Sequence, residues 1–80
     1  MGGQYPPLDR NDVEKILNRL DFKIVRQEGS HAQWEGYAKN QRRVVTVSHL
    51  KSRTEKYSKG LLNKIIKQSG LTKKEFYSYL

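Results

Sequence analysis

Residues 22–48 most constrain what this chain can fold into. They divide into three β-like runs separated by two short polar turns. Residues 22–27 alternate, with Phe22, Ile24 and Arg26 on one face and Lys23, Val25 and Gln27 on the other. Gly29-Ser30 follows, a step that lets a backbone reverse, because glycine tolerates positive φ and serine can bond its own main chain. Residues 31–37 form the second run, with Ala32, Trp34 and Gly36 on one face and His31, Gln33, Glu35 and Tyr37 on the other. Lys39-Asn40-Gln41 is a second turn. Residues 42–48 form the third run, rich in β-branched side chains at Val44, Val45, Thr46 and Val47. Strands joined this closely make an antiparallel meander.

Helical patterns flank the meander. Val13, Ile16, Leu17 and Leu20 recur at helical spacing, which predicts a helix over 11–20 with Asn11 as N-cap and Glu14 closing a capping box. Ser58 predicts the cap of a second helix over 59–69, with Leu61, Leu62, Ile65 and Ile66 as its buried stripe and Gly70 as its stop. Thr72 and Glu75 predict a third, short helix over 73–80 anchored by Phe76 and Leu80, with Tyr77 and Tyr79 partly exposed. Residues 1–8 read as a flexible tail, and residues 9–80 as one domain. The order is α-β-β-β-α-(α), an α+β fold. Amphipathic helices need an apolar surface, and a three-stranded antiparallel sheet offers one. The helices therefore cover the Trp34 face and leave the His31 face open. Phe22, Trp34, Val45 and Ile65 read as core.

Size and charge narrow the function. A chain of 80 residues has a thin core and no second lobe to close over a large cofactor. It holds no cysteine, which excludes disulfides and thiolate metal sites. Its two histidines, eighteen positions apart, have no third ligand at a spacing suited to zinc. No apolar run spans a membrane, and residues 1–7 lack a signal-like layout, so a cytoplasmic protein is expected. The net charge of +8 is lopsided: residues 1–38 carry five basic and six acidic side chains, residues 39–80 eleven and two. A field this asymmetric attracts polyanions, nucleic acid foremost.

His31 is the only histidine beside a tight turn. A side chain there is held by the scaffold yet reaches a ligand, and its ordinary pKa suits proton transfer. RNA brings its own nucleophile, the 2′-hydroxyl. Cleavage then needs a proton-transfer group and cations for the developing phosphorane charge, with neither metal nor cofactor. His31 suits the first role. Arg26, Arg42, Arg43, Lys51, Arg53 and Lys59 are the candidate RNA contacts. The role of His49 stays open, between capping the loop that follows it and assisting as a second acid. Two other readings use the same charges: a non-catalytic RNA-binding module, and a domain whose basic face meets an acidic protein.

Three runs carry a resemblance to a known family. Phe22-Lys23-Ile24-Val25-Arg26-Gln27-Glu28-Gly29-Ser30-His31, Val44-Val45-Thr46-Val47-Ser48-His49, and the closing stretch from Lys59 through Gly70 to Phe76 together resemble the HicA toxins, over roughly residues 11–77. The resemblance implies a fold like that of double-stranded-RNA-binding domains. It implies an endoribonuclease that cleaves mRNA, with His31 catalytic on the turn shaped by Gly29 and Ser30. It also implies a HicB-type antitoxin that blocks the site within a hetero-oligomer. The chain departs from the family pattern at Ala32, where many members have a second histidine. It also lacks a proline in Val47-Ser48-His49-Leu50 and has a longer basic loop through Arg53.

Overall fold

A computed structural model describes residues 5–80. Its elements run α1 (Arg10–Arg19), β1 (Lys23–Glu28), β2 (His31–Ala38), β3 (Gln41–Ser48), α2 (Lys59–Ser69) and α3 (Lys73–Tyr77). The strands form one antiparallel sheet in the order β1-β2-β3. Both hairpins are tight. Gly29 takes φ 55°, while Lys39 and Asn40 both take positive φ, the pattern of a type I′ turn, whose twist matches that of the strands it joins.

The helices flank the sheet on the face carrying Ala32, Trp34, Val45 and Val47, all buried. Val13, Ile16 and Leu17 of α1, Leu62, Ile65 and Ile66 of α2, and Phe76 of α3 complete the core with Phe22. Phe22, Trp34, Val45 and Ile65 are thus core residues, as their periodicity predicts. The opposite face is open: His31 and Tyr37 are exposed and Gln33 and Glu35 half-buried. The outer edge of β3 is partly closed by α2, where the Gln68 side chain accepts the Thr46 N–H at 2.9 Å. Among the described residues nothing comparable covers the outer edge of β1, and all six residues of β1 are exposed.

The structure corrects the sequence reading at several places. First, α1 starts one residue earlier than predicted, and its cap is Asp9 rather than Asn11. Asp9 Oδ1 accepts the Asp12 N–H at 2.9 Å and the Asp9 N–H donates to Asp12 Oδ2 at 3.2 Å. Asn11 and Glu14 are thereby released for other partners. Second, β1 carries a bulge. Ile24 stands opposite Trp34 but Arg26 opposite Gln33, so Val25 has no partner. Simple alternation puts Arg26 on the core face with Phe22; the extra residue turns Arg26 and Glu28 onto the face of Gln33 and His31. Third, Leu8 is a core residue, 1% exposed, rather than the end of a tail. Its carbonyl accepts the Tyr57 N–H at 2.9 Å. Residues 1–4 of the expected tail lie outside the described residues. Fourth, Tyr57, outside every element expected from the sequence, closes the basic loop as a buried anchor. Fifth, α3 ends at Tyr77, and Leu80 remains 37% exposed rather than anchoring it. Leu61, expected in the α2 stripe, is only partly buried, and Ser69 takes a fully buried place at the end of that helix.

Candidate active site

The β1–β2 turn, the end of β3 and the start of the basic loop meet at one end of the sheet. His31 is the first residue of β2, opposite Glu28 on β1 and Ser48 on β3. The Ser30 carbonyl accepts the His49 N–H at 2.6 Å. This bond ties the Gly29-Ser30 turn to the residue that leaves β3. Gly29 has open space where a Cβ would stand, so its requirement for glycine is one of φ alone. The buried Tyr57 hydroxyl donates to the Ser48 carbonyl at 2.6 Å. Burial pushes its pKa up to about 12, so it stays a neutral donor across the physiological range. Turn, strand end and loop are therefore fixed together around His31.

The cations around this end fall into two groups. On the open face, Arg26 reaches Glu28, its Nη2 2.5 Å from Oε2. Toward the helices, Glu14 accepts from two arginines at once: Arg10 Nε at 2.9 Å and Arg53 Nη1 at 2.8 Å. Arg53 also donates to Asn11 Oδ1 at 2.8 Å. Burial works to raise the pKa of the Glu14 carboxyl, but the two guanidiniums outweigh it and hold the group below the usual range. One carboxylate against two guanidiniums leaves one unbalanced positive charge. Lys56 and Asp9 add a looser pair at 3.6 Å and bridge the loop to the start of α1.

His49 stands beside this cluster, partly buried. Burial holds its imidazole below the ordinary histidine value of 6.5, with the Arg10 and Arg53 charges and His31 adding to the effect and Glu14 opposing it. Arg10 and Glu14 lie on α1, Arg53 on the loop and His31 on β2, so charges from three elements act on one ring.

Of the residues singled out from the sequence, Gly29, Ser30, His31 and Arg26 come together at this end, with Arg53 on its helix side. Lys51 lies exposed in the same loop, which the Glu55 side chain braces by accepting the Lys51 N–H at 3.1 Å. Lys59 opens α2, two residues after the Tyr57 anchor. Arg42 and Arg43 do not join them. They stand opposite Tyr37 and Gly36, five to six strand residues from His31, roughly 20 Å away at ~3.3 Å per residue. Arg42 pairs with Glu35. The Arg43 guanidinium packs over Gly70, where an added Cβ would meet its Cζ at 2.5 Å. Sequence reasoning passed over Arg10, Glu14 and Tyr57. Arg10 and Glu14 carried the i, i+4 spacing of an ion pair, but the misplaced cap used Glu14 for another purpose.

No curated protein matches the chain. A family model described as "HicA toxin of bacterial toxin-antitoxin" matches residues 10–71, from the first residue of α1 to just past the α2 stop. That span holds the whole sheet, the basic loop and every candidate site residue, and it covers well over half of the 80 residues. The chain belongs to the HicA toxin family, the toxins of bacterial toxin–antitoxin systems.

Proposed function

We propose that this toxin is an endoribonuclease that cleaves mRNA in the cytoplasm, with His31 as a proton-transfer residue. A HicB-type antitoxin would silence it by covering this end of the sheet in a hetero-oligomer. The observation that carries the reading is the position of His31: exposed, held on a Gly-Ser turn, and on the same face as Arg26, in a chain of this family. The chemistry is internal to RNA. The 2′-oxygen attacks phosphorus, the P–O5′ bond breaks, and the products are a 2′,3′-cyclic phosphate and a 5′-hydroxyl. Arg26, Lys51, Arg53 and Lys59 supply positive charge for the phosphate backbone and for the phosphorane. Gly29 and Ser30 position the imidazole.

The test is induced expression of the wild type and of His31→Ala in a bacterial host, followed by growth and mRNA integrity. Growth arrest with loss of mRNA for the wild type alone supports the reading. Equal toxicity of both proteins overturns the role of His31. Arrest by both proteins with intact mRNA points instead to an RNA-binding toxin that does not cut.

A further inference from the structure

Cleavage of RNA by its own 2′-hydroxyl moves two protons: one leaves the nucleophile and one reaches the 5′-oxygen. His31 accounts for one of them. Four observations bear on the other. The His49 backbone is bonded to Ser30, the residue before His31. His49 directly follows Ser48, the β3 partner of His31. The two histidines therefore lie at the same strand end, His31 on the open face with Ser48 and His49 turned toward the helices beside Arg10, Glu14 and Arg53. No side-chain hydrogen bond among the described residues occupies His49, although its neighbours Arg10, Asn11, Glu14 and Arg53 are all engaged with one another. Its ring nitrogens are left for a ligand, beside a cluster with one spare positive charge.

Resting on the ribonuclease reading, we propose that His49 is the second proton-transfer residue: it takes the 2′-hydroxyl proton while His31 gives a proton to the departing 5′-oxygen. The environments assign the roles. His49 is partly buried and faces two guanidiniums, which disfavours its cationic form and keeps it a base. His31 is exposed on the open face, where a departing group can reach it. As the 2′-O–P bond forms and the P–O5′ bond breaks, one proton arrives at His49 and one leaves His31, so charge balances across the pair. The Arg53 guanidinium, held by Glu14 and Asn11, stands in the cluster beside His49 and suits the non-bridging oxygens.

The experiment is a pH–rate profile of cleavage by wild type, His49→Ala, His49→Gln and His31→Ala. The substrate is a transcript whose cut site has been mapped with the wild type. It is prepared both with normal linkages and with sulfur replacing the 5′-oxygen at that site. The wild type is expected to give a bell-shaped profile. Both His49 variants should lose about 10²- to 10⁴-fold in rate at neutral pH and lose the acidic limb, because no base remains to be protonated. The sulfur linkage, whose leaving group needs no proton, should rescue His31→Ala and leave His49→Ala slow. A His49 variant with the wild-type rate overturns the pairing. So does a slow one that keeps both limbs, since a purely structural role scales the bell without reshaping it. Rescue of His49→Ala rather than His31→Ala by sulfur reverses the roles and overturns the assignment. A wild type that cuts no RNA at any pH overturns the ribonuclease reading itself, and the pairing falls with it.

Discussion

Gly36 shows how one residue can fix the geometry of the sheet. A Cβ at this position would lie 2.5–2.9 Å from ring carbons of Phe22, itself 1% exposed. The ring is buried and cannot swing away cheaply, so Gly36→Ala should destabilise the fold by about 1–3 kcal/mol. The shift in urea midpoint at unchanged slope checks it. Glu14 makes a second residue-scale point, about pH. Its carboxyl is held below the usual range in the folded state, so it binds a proton more readily when unfolded. The stability it contributes is therefore complete above the unfolded value of about 4.5 and lost as the pH falls through the lower folded value. Asp9, lowered by the Asp12 N–H it accepts as a helix cap, acts in the same direction. Acid unfolding of Glu14→Gln should accordingly show a shallower pH dependence than the wild type. Equal slopes would mean that the Arg10–Glu14–Arg53 network contributes nothing in solution.

At the scale of elements, the basic loop owes its order to a few ties: Arg53 to α1, Lys56 to Asp9, Glu55 back to Lys51, and Tyr57 to Ser48. Tyr57→Phe removes only the hydroxyl, leaves the Ser48 carbonyl without its donor, and should cost about 1 kcal/mol. Hydrogen exchange should then quicken over residues 49–57 more than over α2. These ties explain what was legible in the sequence and what was not. The hairpins, the α2 stripe with its Ser58 cap and Gly70 stop, and the Thr72–Glu75 box were readable because each rests on local chemistry: a turn dipeptide, a period, a cap. The facing of β2 was readable because alternation is strict where one side is buried. The bulge at Val25 was not, since nothing in Ile24-Val25-Arg26 marks the extra residue; only pairing with β2 reveals it. Without it Arg26 reads as facing the core. Tyr57 was hidden for a similar reason: its burial depends on Leu8 and Ser48, contacts distant in sequence. Asp9 and Asn11 are both good caps, so local chemistry alone does not say which one starts α1, and Leu8, whose burial fixes the entry to α1, looked like tail. The exposed position of His31 beside the first turn was legible. Arg10 and Glu14 were not legible beside His49, because they reach that end of the sheet only through the tertiary fold.

For the whole molecule, the charge read from the sequence acquires a direction. The positive half of the chain supplies β3, the basic loop and α2, while the sheet leaves one face open and presents His31 at its end. Binding to RNA should weaken steeply with salt, and Arg53→Gln or Lys59→Gln should each lower the slope of log K against log salt by about 1. Arg43→Gln should leave that slope alone and lower stability instead, because its guanidinium packs over Gly70 and donates to the Ala38 carbonyl. The central claim, that His31 carries out chemistry on RNA, is tested most directly with purified protein. Wild type and His31→Ala would be incubated with one RNA transcript, with and without a metal chelator, and the ends of the fragments analysed. The account predicts cleavage by the wild type that survives the chelator and leaves 2′,3′-cyclic phosphate and 5′-hydroxyl ends, with cleavage by a folded His31→Ala reduced at least a hundredfold. Equal cleavage by both proteins, or RNA bound by the wild type and left intact, would contradict it.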